Sequence, residues 1–159
     1  MLPKRHLSHA QGYLGLGMVA EAAAELAHVS GPDAATTQAL AVRIAVLHEQ
    51  RDWPAVRDLA GELIRRDATD AAIWITWAYA TRRTDSLAAA EGILLEAEKT
   101  HPKEPTIQFN LGCYACQRGD LATTRRRLAR AIELEASFAA LAATDPDLAP
   151  LRAADAAEG

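Results

Sequence analysis

The amino-acid sequence repeats its chemistry every 34 residues, and that period constrains the fold more than any other feature. Ala22, Val56, Ala90 and Thr124 form one column of small or medium side chains. One helical turn later stand Leu26, Ala60, Leu94 and Leu128, and three residues beyond those Val29, Leu63, Ala97 and Ala131. This i, i+4, i+7 spacing marks one apolar face of a helix. An earlier helix in each period carries Ala10, Ile44, Ala78 and Gly112, with Tyr13, Leu47, Thr81 and Ala115 three residues on. Turn residues separate the two helices: Gly17, Arg51-Asp52, Thr84-Asp85 and Gly119-Asp120. Four helix–turn–helix units tile residues 3–36, 37–70, 71–104 and 105–138 without a gap.

Composition agrees with an all-α chain. Alanine, leucine, glutamate and arginine dominate, only 5% of residues are aromatic, and the long β-branched runs expected of strands are missing. Half of the 159 residues are hydrophobic, enough for a sizeable core. A net charge of −4 argues against a nucleic-acid partner, which calls for a basic excess. The opening MLPKRHLSHAQGYLG is basic but no apolar stretch follows it, and no run of 18 apolar residues occurs. We therefore expect no signal peptide, no membrane partner and a cytoplasmic address. Two cysteines do not make a disulfide framework, which fits that address. Length and the Met1 start lead us to expect a whole small protein.

The frame W-x2-L-G-x2-Y, A-x3-F, P within a 34-residue helix pair is that of the tetratricopeptide repeat. Trp74, Ala90, Leu94 and Pro102 fit it in the third unit; Leu111-Gly112, Gly119-Asp120 and Leu128 fit it in the fourth. Tyr13, Gly17, Ala22 and Leu26 fit in the first unit, and Leu40, Leu47, Trp53 and Leu63 in the more divergent second. Residues 3–138 thus resemble this family. Through WAYATRR, FNLGCYACQRG and TDPDLAPL the chain also resembles small bacterial tetratricopeptide proteins of unassigned function. The resemblance implies an all-α, right-handed α-solenoid of four tandem repeats closed by a C-terminal capping helix. We expect residues 139–152 to form the capping segment, with Phe138 and Leu141 on the apolar side of its helix. TDPDLAPLR is expected to fold back, its two prolines breaking regular structure and Leu148 and Leu151 reaching the core. Residues 153–159 are expected to fray.

In this family the first helix of each repeat lines the concave side, where ligands bind. By register those positions are Leu7, Gln11 and Leu14; Ala41, Val42, Ala45 and His48; Ile75, Thr76, Tyr79 and Arg82; and Phe109, Asn110 and Cys113, with Cys116 at the end. Such a groove is apolar for a surface, which points to a contact site. Phe109 and Tyr79 are expected to anchor a partner side chain, and Gln11, Thr76 and Asn110 to hydrogen-bond its backbone; the alternative occupants of the groove are the capping segment and a second copy of the chain. No cluster of cations stands there to hold a carboxylate terminus, as some co-chaperones of the family do.

Cys113 and Cys116 share a helix face at C-x-x-C spacing, but they occupy ordinary groove columns. They lie away from a helix N-terminus, where a dipole lowers a thiol pKa, and a second C-x-x-C is missing, so we read them as small packing residues. His6 and His9 are spaced as a ligand pair, yet no carboxylate follows nearby in sequence. Arg125, Arg126, Arg127 and Arg130 read as a solvated basic face on the last repeat helix. No phosphate loop, nucleophile elbow or H-E-x-x-H occurs, and no catalytic residue, metal ligand or cofactor is assigned. The reading is a non-enzymatic adaptor or chaperone-like module that binds a protein or peptide. The alternatives are a self-associating homodimer and, third, a thiol or metal sensor through Cys113 and Cys116.

Overall fold

A computed structural model describes residues 2–159. Among these residues every regular element is helical, and the chain forms two compact units, the first ending at Ser86 and the second running Leu87–Gly159. The first unit holds α1 (Pro3–Gly15), α2 (Val19–Ala27), the short α3 (Gly31–Ala34), α4 (Thr37–Glu49), α5 (Trp53–Arg66) and α6 (Ala71–Thr84). The second holds α7 (Leu87–Thr100), α8 (Pro105–Gln117), α9 (Leu121–Leu134) and α10 (Phe138–Thr144). A 3₁₀ turn (Pro146–Leu148) and α11 (Ala149–Glu158) follow. The unit boundary lies between α6 and α7, inside the third sequence period.

Helix starts follow the period. α1, α4, α6 and α8 begin at residues 3, 37, 71 and 105, each 34 after the last; α2, α5, α7 and α9 begin at 19, 53, 87 and 121, again 34 apart. The turns explain this regularity. Gly17, Arg51 and Gly119 occupy one column and all have positive φ, 73°, 58° and 84°. In each case the left-handed residue donates its N–H to the carbonyl three back, and the next residue donates to the carbonyl five back. That is a Schellman ending. At Asp52 and Asp120 the residue closing the motif also caps the next helix, its carboxylate accepting from Ala55 and Thr123 N–H. One residue thereby stops one helix and starts another. Arg51 is the anomaly, because a left-handed conformation strains a residue that carries a Cβ. Arg51→Gly is expected to stabilise the protein by about 0.5–1 kcal/mol. The corresponding rise of a few degrees in Tm is measurable by circular dichroism; an unchanged or lower Tm would show that the Arg51 side chain offsets its strain.

In the first unit α1 packs on α2, both meet α4, and α5 packs between α4 and α6. Its N-terminal core joins Leu7, Ala10, Ala22, Leu26, Val29, Ala39, Val42 and Val46. The small-residue columns lie where helices pass closely: Ala10, Ala22, Ala60 and Ala78 are fully buried. On α5, Gly61 leaves room for the Trp77 indole, whose ring atoms lie 3.1 Å from where a Cβ would stand. Trp74 is buried beside Trp77 and donates its Nε1–H to the Ala68 carbonyl at 2.9 Å.

In the second unit α8 is the central helix, packed against α7, α9, the 3₁₀ turn and α11. Ile107–Phe109 and Leu111–Cys116 are buried, so its apolar surface runs all the way round. Its buried Gln108 is satisfied: Nε2 donates to Glu98 at 2.7 Å, and Oε1 accepts from Arg127 at 2.9 Å. Arg127 also donates to Glu98, which closes a triad across α7, α8 and α9. Burial raises the Glu98 pKa, but its bonds from Arg127 and Gln108 outweigh this and leave the carboxyl below the ordinary range.

The C-terminal segment reaches the core as expected but differs in its local structure. Phe138, Leu148 and Leu151 are buried, while Leu141 is half exposed. The two prolines start helical turns instead of breaking them: Pro146 and Pro150 lie in the first turns of the 3₁₀ element and α11, where a missing N–H costs nothing. The residues expected to fray continue α11 to Glu158. Arg152 holds its base by donating to the carbonyls of Ala142 and Asp145. Asp155 is paired with Arg125 of α9 at 2.7 Å. Among the described residues no helix is long and apolar enough to cross a membrane.

Candidate binding cleft

The first unit contains an open hollow of about 300 Å3 lined by Leu14 of α1, by Ala41, Ile44, Ala45, His48 and Glu49 of α4, and by Ile73 and Thr76 of α6. Its origin is local. Positions 41, 45 and 48 share one helical face, and two of them are alanine, so the face is too short to fill the space beside it. A second hollow of about 230 Å3 shares Ala41 and Ile73 and adds Thr37, Gln38, Leu63, Asp67 and Asp70. The two form one cleft along α4.

At its α4 C-terminal end the cleft meets an aromatic cluster. His48 lies edge-on to Trp53 at 5.1 Å, Trp53 edge-on to Tyr79 at 5.2 Å, and His48 and Tyr79 are 6.0 Å apart. The Arg83 guanidinium stacks over both Trp53 and Tyr79, at 5.0 and 4.7 Å, and donates to the Tyr79 hydroxyl at 2.7 Å. These cation–π contacts hold the rings in fixed orientation. Tyr79 therefore presents ring surface, 38% exposed, with its hydroxyl already engaged.

The cleft unites Leu14, Ala41, Ala45, His48 and Thr76 of the sequence-derived groove, with Tyr79 at its rim. The other groove positions stand elsewhere. Leu7 and Val42 belong to the first unit's core, 3% and 4% exposed, because their columns face the neighbouring helices. Gln11 is exposed outside the lining, and Ile75, Arg82 and Asn110 are half-buried outside it. Phe109, Cys113 and Cys116 are buried in the second unit, where the chain's own C-terminal segment occupies the place expected for a ligand. The Phe109 ring packs on Phe138 at 5.2 Å. Reading by register missed Ile44, Glu49 and Ile73 in the lining and Trp53 at the rim. Trp53 follows the Arg51-Asp52 turn, and in sequence it fits only the repeat frame of the second unit.

The remaining candidates resolve individually. Among the described residues, the one group of ligand atoms close enough to share an ion is Cys113, Asp145 and Asp147, and Cys116 stands outside it. An Asp145 carboxylate oxygen is already bonded by the Asp147 N–H at 2.8 Å. The carboxylate missing beside His6 and His9 in sequence is supplied by α2. Glu25 lies 2.6 Å from His6 and 3.6 Å from His9, and His28 stacks on His6 at 4.9 Å. The His6 hydrogen bond, above all, holds the Glu25 carboxyl below its ordinary range. The arginine face is largely neutralised: Arg125 pairs with Asp155, Arg127 with Glu98, and Arg130 with Glu133.

No family model and no curated protein matches the chain. Solved structures do. A double mutant of MamA RS-1 is 18% identical, with a TM-score of 0.75 over 85% of this chain and 76% of that one. MamA from residue 41 to its end, from Desulfovibrio magneticus RS-1, is also 18% identical, with a TM-score of 0.76 over 86% and 77%. MamA MSR-1 is 14% identical, with a TM-score of 0.64 over 98% and 95%. At these identities the likeness concerns the fold, and that fold is an all-α helical repeat of the tetratricopeptide type.

Proposed function

We propose that the protein is a non-enzymatic interaction module that holds a peptide or helix of a partner protein in the α1–α4–α6 cleft. The observation that carries this is the alanine-floored hollow of about 300 Å3, bordered by an aromatic cluster locked by Arg83. It offers space for one bulky apolar side chain, the anchor around which binding energy concentrates. The lining is mainly aliphatic and suits burial of a side chain more than chemistry on it. Two buried cysteines, not joined in a disulfide, fit a cytoplasmic, reducing setting. Phe109 and Cys113 are left out of the proposed site, because both are buried.

Ala45→Trp tests the reading. Ala45 is exposed on a helix, so the larger residue is accommodated without repacking a core, at a cost of about 0.5 kcal/mol in propensity. Its indole would occupy the hollow. Phage-displayed peptides are selected on the immobilised full chain and scored again on folded Ala45→Trp. Peptides enriched by wild type should lose at least about tenfold in affinity on the variant. Equal binding to both proteins would overturn the cleft as the site.

A further inference from the structure

The charges lining the cleft narrow the partner further, and the argument rests on the cleft reading above. Three ionisable carboxylates line the two hollows: Glu49 in one, Asp67 and Asp70 in the other. No lysine or arginine is among the residues lining either, and Arg83 at the rim lies over the Trp53 and Tyr79 rings with a bond to the Tyr79 hydroxyl. Asp67 and Asp70 accept hydrogen bonds from their own turn, from Thr69 and from the Ala72 N–H, and these do not neutralise them. Those bonds hold the Asp67 carboxyl below the ordinary range, so the charge persists. The aspartates stand at the start of the cleft and Glu49 at its far end. Thr37 to Glu49 along α4 spans about 18 Å at the helical rise.

We propose that the cleft selects a segment with a bulky apolar side chain flanked on both sides by lysine or arginine. The apolar group enters the hollow and each flank meets a carboxylate. Over about 18 Å the flanking cations stand some five or six residues apart in an extended segment, or about twelve in a helix. Carboxylates at both ends would also repel an acidic segment of the same shape, which turns a sticky hollow into a selective one.

The experiment uses the full chain and two fluorescein-labelled peptides. Both carry a leucine–alanine centre; one has lysine pairs at each end, the other glutamate pairs. Fluorescence anisotropy at low salt should show the lysine peptide bound at least about tenfold more tightly, the advantage shrinking as salt rises. Glu49→Gln, Asp67→Asn and Asp70→Asn combined should abolish the preference. Asparagine retains the capping bonds, so the fold is preserved. Equal affinity for the two peptides, or a preference that survives the triple substitution, overturns the charge inference and leaves the cleft reading standing. Binding that persists in Ala45→Trp overturns the cleft itself. A wild-type chain that binds neither peptide also overturns the inference, since an apolar anchor with basic flanks is all that it specifies.

Discussion

Phe109→Asp is expected to unfold the second unit. The Phe109 side chain is 6% exposed and packs on Phe138, in a helix buried on all faces. Truncating such a ring costs about 3–5 kcal/mol. The substitution also places a carboxylate where water has no access and where it must either ionise unpaired or take up a proton. Together the penalty exceeds about 5 kcal/mol, comparable to the total stability of a small domain. Circular dichroism should show lost helicity, and limited trypsin digestion should cut within residues 87–159. Phe109→Leu, which keeps the site apolar, should cost far less, about 1 kcal/mol. A Phe109→Asp protein that melts like wild type would mean that the ring faces solvent, and the groove of the sequence reading would regain its fourth unit.

Trp74→Ala is the second large effect, and it falls in the first unit. Trp74 is buried, packs beside Trp77 and donates its indole N–H to the Ala68 carbonyl just before α6 begins. Removal of the ring leaves a cavity and costs about 3–5 kcal/mol, or about 10 °C in Tm for a chain of this size. Trp74→Phe keeps most of the apolar volume and loses the donor. It should cost much less, about 1–2 kcal/mol. Thermal melts of the two variants separate packing from hydrogen bonding. Equal losses would assign the cost to the bond with Ala68 and not to packing.

The repeat was legible because it is written in local terms. Helix starts at 34-residue intervals follow from Gly17 and Gly119 and from Asp52 and Asp120, residues that end or begin helices through bonds spanning five positions or fewer. The small columns were legible for a related reason: an alanine at a helix crossing is demanded by close approach wherever the repeat places it. The site was legible only in part. Ala41 and Val42 are adjacent on α4, yet Ala41 lines the cleft and Val42 sits in the core. One residue turns a helix face by about 100°, so a groove inferred from columns carries errors of that size.

Distant contacts decided the rest. Cys113 and Phe109 occupy the same columns as Gln11 and Leu7, but what covers them is a segment some 30 to 40 residues further along, and no local pattern announces where such a segment docks. The same holds for Glu25 beside His6 and for Arg127 on Gln108, pairs brought together by packing across 19 residues. The sequence by itself determined the helices, their period and the all-α repeat class, because those rest on propensity, capping and apolar spacing within a few turns. Only the tertiary structure decided which faces stayed open. That outcome depends on whether a distant segment buries more apolar surface there than water leaves exposed, and here it closed α8 and left the cleft along α4 open.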